Sequence, residues 1–336
     1  MHLKFNGIQN PIFHFDQLGN QPVTCISTFP QRPMQIPTYH EVWLDANILS
    51  QIPAVQPNPN IASLVNAALA NGFGMNPILA LAEYNRGHDP MTAMDIMLNR
   101  VPRMEQVYGF EFDMLAVKRQ STQLTLYVDN DRKYVKSLSD FMIFIKYFFA
   151  KKDWSFKRRF ETFAKFIKGH LPFFRIVLYV ACLYFFAKER RDLFKSSFAK
   201  IQEAMHVHED PIRNRKEAYN LASDLAIFTQ TTAYPVLKNP VLFRVPYIAT
   251  SDQGLAMLLR EIAYFGIDIE NGKGFGYLGF RAGGIMASYC PEVADTIVAQ
   301  HLSNVPVDQI RLQKLDKVAE EILSGILTYE EYLIDN

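Results

Sequence analysis

The feature that most constrains the fold is a short apolar strand that ends in a single acidic residue. Residues 41–49 read EVWLDANIL, in which the β-forming residues 42–44 run directly into Asp45 and Asn47. Aspartate and asparagine cap the starts of helices, so this stretch predicts a buried strand followed at once by a helix. Such a strand delivers a carboxylate to the carboxyl edge of an α/β sheet, where ligands bind. The alternative is that Asp45 serves only as the helix cap.

A second stretch repeats this arrangement, and two further acids stand alone in apolar helical sequence. The apolar run 245–249 is followed by Thr250 and Asp252 and then by apolar residues at helical spacing. Glu83 is the one charge in NPILALAEY, and Asp224 is the single acid in LASDLAIF. A carboxylate on such a face is costly to bury unless a cation or another partner meets it. These four acids are therefore candidates for a common site.

In these residues the chain resembles the PIN-like nuclease family. The resemblance rests on the strand-ending LDAN, the helix-borne Glu83, the Asp224 of SDLAIF, and the Thr-x-Asp of Thr250 and Asp252, which occur in the family's order. It implies a parallel sheet flanked by helices, with carboxylates gathered at one edge to hold Mg²⁺ or Mn²⁺ for cutting RNA, less often DNA. A divalent ion relieves the repulsion between such carboxylates and activates a bound water, and these two ions favour oxygen ligands.

We accordingly assign roles to six residues. Asp45 and Asp252 are the expected metal ligands, Glu83 and Asp224 are ligands or groups that position water, and Asn47 and Thr250 are hydrogen-bonding residues behind them.

The basic charge of the chain is concentrated in one segment. Residues 151–200 hold thirteen Lys or Arg against four Asp or Glu, although the whole chain has 35 against 34. Phe156, Phe160, Phe163 and Phe166 recur at the spacing of an amphipathic helix, so they are predicted to face a core rather than to stack on bases. The basic face is either a track for phosphates or a solvated surface. The candidate nucleic-acid contacts are Lys151, Lys152, Trp154, Lys157, Arg158 and Arg159.

Three other patterns have alternative interpretations. Residues 172–187, PFFRIVLYVACLYFFA, are shorter than the roughly twenty residues that span a bilayer, and we predict a buried central helix there. GFGYLG at 274–279 matches G-x-G-x-x-G without the strand-turn-helix context of a dinucleotide site, which favours a flexible glycine loop beside the acids. His206 and His208 stand two residues apart, which favours a solvated helix end over a metal site.

Composition limits the class of protein. A chain of 336 residues, nearly half of them apolar, predicts about two folded domains. The three cysteines form no Cys-x-x-Cys pair, so they predict neither a disulfide framework nor a cysteine zinc site. The N-terminal sequence lacks the pattern of a signal peptide and no transmembrane segment is expected, so we expect a cytoplasmic protein.

The expected architecture is α/β, a PIN-like parallel sheet flanked by helices. The PIN-like domain would comprise residues 1–100, beginning with an irregular arm with one short strand over 1–38, and residues 216–285. A helical basic and aromatic insertion would occupy 101–215, and C-terminal helices would occupy 286–336. The expected function is metal-dependent hydrolysis of phosphodiester bonds in RNA, less often DNA, with a second copy or a regulatory protein as a further partner. The alternatives are a catalytically silent nucleic-acid or protein-binding module on the same fold, and a membrane-surface protein that uses the basic and aromatic segment.

Overall fold

The computed structural model describes residues 2–33, 36–51, 57–167, 174–233, 236–237, 242–270, 273–289 and 309–325. The chain divides into two compact units. The first combines Met1–Arg132 with Ile227–Leu278, and the second combines Lys133–Ala226 with Gly279–Asn336. Strands and helices together build the first unit, whereas the described part of the second is mainly helical. The protein is therefore of the α/β class.

Ten strands are present among the described residues. They are β1 His2–Gln9, β2 Ile12–Phe15, β3 Val23–Ser27, β4 Gln31–Pro33, β5 Thr38–Leu44, β6 Gly74–Asn76, β7 Val236–Leu237, β8 Leu242–Thr250, β9 Ile262–Glu270 and β10 Lys273–Phe280.

One sheet, of six strands, carries the ends of the two acid-bearing strands. Its order is β2-β3-β8-β5-β6, and β7 pairs with β8. β5 runs parallel to both β8 and β6. β3 runs antiparallel to both of its neighbours, β8 and β2. β2 and β3 follow one another in the chain and form a hairpin. The sheet is thus mixed, and the expected parallel arrangement holds for only three of its strands.

The first 38 residues do not form the expected irregular arm. They contribute β1 to β4, and all five residues of β3 are buried. Prolines and the short lengths of these strands hide the alternation that marks a strand in sequence, yet Val23, Thr24 and Ile26 are β-forming residues. Pairing with β8 buries β3 in the sheet.

The second sheet has four strands in the order β10-β9-β1-β4. β1 pairs antiparallel with β4 and with β9. The glycines of GFGYLG lie within β10, so this stretch is a strand and not the expected glycine loop. Gly276 is needed there because a Cβ atom would stand 2.3 Å from the Tyr264 ring.

Five of the described helices lie wholly within the first unit. They are α1 Ala46–Ser50, α2 Pro59–Ala70, α3 Ile78–Gly87, α4 Pro90–Tyr108 and α10 Gln253–Glu261. Three of them, α1, α3 and α10, position the acids. α1 follows Asp45 and α10 follows Asp252, as the sequence predicted for both strand ends. α3 begins after Asn76, whose Oδ1 accepts the backbone N–H of Ile78 at 2.9 Å.

The remaining helices belong wholly or partly to the second unit. They are α5 Met114–Ala150, α6 Phe156–Ile167, α7 Arg175–Glu189, α8 Arg191–Ala204, α9 Pro211–Ala233, α11 Ile285–Tyr289 and α12 Gln309–Leu323. The expected limit at residue 100 falls within α4, and the limit at 215 falls within α9. Of the expected C-terminal region, residues 290–308 and 326–336 lie outside the described residues.

α7 is the buried central helix that its sequence predicts. Its residues from Ile176 to Ala187 are all buried. The aromatic residues of α6 are buried as predicted, and two of them contact α7: Phe163 lies 5.8 Å from Phe185, and Phe156 lies 5.5 Å from Phe186, between ring centroids. Aromatic packing between these two helices therefore forms the core of the second unit.

In the part of the chain that the structure describes, no helix is both long enough and apolar enough to cross a bilayer. Residues 168–173, at the start of the apolar run 172–187, lie outside that part.

Candidate functional site

Three of the four predicted acids come together in the first unit. Asp45 directly follows β5, Asp252 follows β8, and Glu83 lies on α3. β5 and β8 are parallel, so they end side by side, and the backbone N–H of Asp45 donates to the carbonyl of Ala249 at 3.1 Å. The carboxyl edge of these parallel strands therefore carries an acidic group, which we define as Asp45, Glu83 and Asp252.

Each acid of this group uses one oxygen to accept a backbone N–H near the start of a helix. Asp45 Oδ1 accepts from Ile48 at 2.9 Å, Glu83 Oε1 accepts from Ala46 at 3.2 Å, and Asp252 Oδ1 accepts from Leu255 at 2.9 Å. The second oxygen of each carboxylate makes no hydrogen bond to any residue that the structure describes. The backbone thus fixes three carboxylates and leaves one oxygen of each available.

Asp45 is the most deeply placed member of the acidic group. Only 1% of its surface is exposed, and Oδ2 is buried with no hydrogen-bond partner in the described part of the chain. The neighbouring Thr250 is fully buried, and its Oγ1 accepts the backbone N–H of Asp252 at 2.9 Å. A side-chain hydrogen bond from Thr250 lowers the pKa of Asp45, while Oδ2 itself stays without a partner among the described residues. Asp45 is therefore both a helix cap and an incompletely satisfied buried carboxyl.

Burial and neighbouring acids raise the pKa of two members of the group, Asp45 and Glu83. Burial is the largest cause of a pKa for Asp45 well above its ordinary value, and repulsion from Glu83 and, more weakly, from Asp252 raises it further. Burial also raises the pKa of Glu83, while Arg86 and the Ala46 N–H lower it. Their ionised forms are therefore disfavoured together, and a bound cation would relieve this strain.

Sequence reasoning missed the basic neighbours of this group. Arg86 is buried on α3 and its Nε donates to Asp131 Oδ2 at 2.8 Å. Arg100 of α4 donates from Nη1 to the hydroxyl of Tyr84, and its guanidinium carbon lies 5.3 Å from the centre of that ring. Arg86 follows Glu83 by three residues, a helical spacing that was a usable signal. Arg100 approaches only because α3 packs on α4, so no local pattern marks it.

Two predicted site residues are not among the three acids that the first unit brings together. Asp224 is half-buried on α9 and belongs to the second unit, so it is not part of the group formed within the first. Asn47, on α1, is exposed, and its side chain makes no hydrogen bond to the residues described.

Some bases of the basic segment serve the fold. Arg159 is 3% exposed, and its Nη2 donates to the carbonyl of Lys151 at 2.6 Å, just beyond the C-terminus of α5. Lys188 donates to the carbonyl of Phe149 in the last turn of α5. Cations are favourable at this end of a helix because its carbonyls are unpaired and its dipole is negative. These two bases are therefore engaged within the unit.

Other bases of the segment face solvent. Lys152, Lys157 and Arg158 are exposed. Arg158 lies over the half-buried ring of Trp154 at 4.6 Å, and that ring also contacts Phe148 at 6.1 Å. Lys151 donates to the Tyr147 hydroxyl at 2.9 Å. The candidate contacts thus divide into exposed bases and a cation–aromatic cluster that packs on α5.

The donor set of the acidic group suits a hard divalent cation. Its three available carboxylate oxygens are the ligand type that Mg²⁺ and Mn²⁺ prefer, and Asp45 Oδ2 is a buried donor without a partner. Among the described residues, no set of three or more His, Cys, Asp or Glu side chains already has the arrangement of a metal site. Binding would therefore require these side chains to move toward one ion.

The pair His206 and His208, which was considered as a metal site, lies beside the acidic residue Glu217. The two rings lie 4.5 Å apart between centroids, and His208 Nε2 contacts Glu217 Oε1 at 2.9 Å. Glu217 also accepts from Lys146 at 2.8 Å and from Arg213 at 3.1 Å. His208 thus belongs to an ion-pair network between α5 and α9.

Comparisons of the chain with family models, with curated proteins and with solved structures each find no match. The functional assignment therefore rests on the residues and the geometry of the site.

Proposed function

We propose that the protein is a metal-dependent nuclease with a PIN-like arrangement of carboxylates. The observation that carries the proposal is the acidic group at the carboxyl edge of parallel strands, with one oxygen of each carboxylate held by a backbone N–H and the other available. Edges of this kind are where α/β proteins bind ligands. A structural cap alone would not explain why a third acid, Glu83, is brought beside Asp45 at an energetic cost.

The residues of the site divide the chemistry among them. A bound Mg²⁺ or Mn²⁺ would supply positive charge for the scissile phosphate and a more acidic water. Asp45 and Asp252 would hold this ion through the carboxylate oxygens that accept no backbone N–H. Glu83 orients the attacking water with Oε2, since the Ala46 N–H fixes its other oxygen. Thr250 keeps Asp252 in place by accepting its backbone N–H.

The proposed substrate is RNA in preference to DNA, and the basic segment is its second contact surface. We assign phosphate contacts to Lys152, Lys157 and Arg158, because these bases are exposed. We do not include Arg159 among the proposed phosphate contacts, because its guanidinium is buried and donates to a backbone carbonyl. A cytoplasmic location remains part of the proposal, and the described cysteines, Cys25 and Cys182, are buried thiols.

Substitution of the two proposed ligands tests this function. Asp45→Asn and Asp252→Asn preserve both helix caps, so each should fold but lose cleavage of RNA in Mn²⁺ by more than the roughly 10- to 100-fold typical of residues behind the ligands. Asp89→Asn is the matched control, because Asp89 is the exposed cap of α4 and should leave cleavage unchanged.

The assay uses a mixed panel of RNA and single-stranded DNA, with cleavage products resolved on a gel. Wild-type rates in either proposed ligand variant would contradict the assignment. RNA binding by the wild type with no cleavage in Mg²⁺ or Mn²⁺ would instead support the catalytically silent binding module.

A further inference from the structure

An acidic site that cuts a polyanion needs positive charge close to it. Of the bases near the acidic group, Arg86 is already committed, because its side chain is 3% exposed and paired with Asp131. Its position suits a structural role in offsetting Glu83, whose pKa it lowers. Another base must therefore meet the substrate at this edge.

Arg100 has the properties of that base. It is half-buried on α4, and in the described part of the chain its guanidinium contacts the hydroxyl and ring of Tyr84 but no carboxylate. A guanidinium has five N–H donors, and a single bond to the Tyr84 hydroxyl leaves most of them available. An arginine beside an acidic group and without an acid partner is suited to an anion from outside.

Tyr84 holds this arginine at the border of the acidic group. It follows Glu83 directly on α3, and α3 packs on both α1 and α4. Glu83 contacts the start of α1, because its Oε1 accepts the backbone N–H of Ala46 at 3.2 Å, so Tyr84 lies beside the acidic group. The hydroxyl contact and the ring contact together restrict the Arg100 side chain, which lowers the entropy lost when it binds.

We propose that Arg100, positioned by Tyr84, binds a backbone phosphate of a polynucleotide beside the acidic group. The inference rests on the proposed function for the identity of the ligand. A planar guanidinium grips a phosphate through two parallel hydrogen bonds, which fixes the strand as well as attracting it. Arg100 is then a substrate-binding residue and Tyr84 a positioning residue.

The test measures binding without cleavage. A fluorescein-labelled single-stranded oligouridylate of about 20 nucleotides is titrated in EDTA, with anisotropy as the readout, over a range of salt concentrations. Arg100→Gln should weaken binding about three- to tenfold and reduce the salt slope by about 0.7, the loss of one contact to a single strand. Arg100→Lys should keep the slope but not the full affinity, because it keeps the charge and loses the planar fork.

A matched control removes the same charge elsewhere in the first unit. Arg260 is exposed at the last turn of α10, away from the end that carries Asp252. Arg260→Gln should leave the affinity within about twofold of wild type. Tyr84→Phe keeps the ring and removes the hydroxyl, so it should weaken binding while leaving the salt slope unchanged, which a general loss of folding would not do.

The outcomes separate this inference from the proposed function. Equal affinity and slope for Arg100→Gln and Arg260→Gln overturn the inference, as does the absence of RNA binding by the wild type at roughly 50 mM salt. If Arg100→Gln weakens binding but the wild type cuts nothing in Mn²⁺, the phosphate site stands and the nuclease proposal fails. If the wild type cuts and Arg100→Gln leaves binding unchanged, the nuclease stands and the inference fails. Thermal melting of each variant verifies folding, and Arg100→Lys serves if Arg100→Gln does not fold.

Discussion

Replacing Asp45 by asparagine should stabilise the protein in the absence of metal. The carboxylate is buried, its Oδ2 has no hydrogen-bond partner among the described residues, and Glu83 repels it. Asparagine keeps Oδ1 for the Ile48 N–H, so the cap of α1 survives. It also removes the charge and places an N–H donor where the unpartnered oxygen stands, which turns repulsion from Glu83 into attraction.

The size of the effect follows from these contacts. An unsatisfied buried polar group costs about 1–3 kcal/mol, so relief of this one should raise the free energy of unfolding by a similar amount. Each kcal/mol corresponds to about 2–4 °C in Tm for a folding unit of this size. Asp45→Ala should gain less, because it gives up the cap, worth about 1 kcal/mol, and leaves a small cavity.

The pH dependence provides a second signature. Since the pKa of Asp45 is raised by folding, the folded protein holds its proton to higher pH than the unfolded chain does. The wild type therefore loses stability as pH rises from about 4, the ordinary aspartate pKa, through the raised value. Asp45→Asn lacks this loss, so its advantage should be smallest near pH 4 and should grow as pH rises.

Urea unfolding in EDTA at several pH values measures this prediction. Asp89→Asn is the control: Asp89 caps α4 from an exposed position, and the Thr92 hydroxyl holds its pKa below the ordinary value, so this variant should gain nothing. Addition of Mn²⁺ should then stabilise the wild type by about 2.7 kcal/mol at a hundredfold excess over Kd, and Asp45→Asn much less. If Asp45→Asn were no more stable than Asp89→Asn at pH 7, the reasoning about an unsatisfied, repelled carboxylate would be wrong.

Two further predictions concern groups outside the acidic site. Glu217→Gln should lower the free energy of unfolding in urea by about 3 kcal/mol, because it leaves the buried ammonium of Lys146, 2% exposed, without its anion. Adding Lys146→Met should recover much of that loss. Equal stability of the wild type and Glu217→Gln would show that this ion pair contributes little. Burial lowers the pKa of His40 to about 4, so the unfolded chain binds the proton more strongly and the wild type should lose stability as pH falls from about 6.5 to 4. Solvent screening at this half-exposed ring limits the loss of stability to roughly 1–2 kcal/mol. His40→Phe keeps the stack on Phe73, so its stability-versus-pH curve should lack this loss. Identical curves for the wild type and His40→Phe would show that His40 is not the group responsible.

The acids that were predictable from sequence are those that local patterns mark. Asp45 and Asp252 each end a β-forming run and begin a helix, and both features depend on a few neighbouring residues. The aromatic spacing of α6 and the apolar run of α7 likewise reflect which face of a helix is buried, so both helices were predicted correctly. Such patterns can be recognised in sequence because a helix cap and the buried face of a helix are determined by residues within one or two helical turns.

Local sequence patterns do not show which strands pair or which helices pack together. The N-terminal strands are stable because they pair with strands more than 200 residues away, as Cys25 does with Ala249. Asp224 resembles Glu83 in sequence, a lone acid in an apolar helix, yet only Glu83 lies in the unit that holds Asp45. Arg159 looks like a solvated base, but packing of α6 turns it toward the carbonyls after α5. Tertiary contacts decide each of these cases.

The pairing of β5 with β8 has a consequence for the order of events during synthesis. In this pairing Thr38–Leu44 of β5 lies beside Phe243–Ala249 of β8, so β5 cannot pair with β8 until about 200 further residues have been synthesised. At translation rates of about 5–20 residues per second, this delay is roughly 10–40 s. Until β8 is synthesised, Asp45 has neither Thr250 nor Asp252 beside it, whereas residues 133–226 of the second unit are already made. A nascent chain therefore cannot assemble the acidic group until residues 133–226 of its second unit have been synthesised.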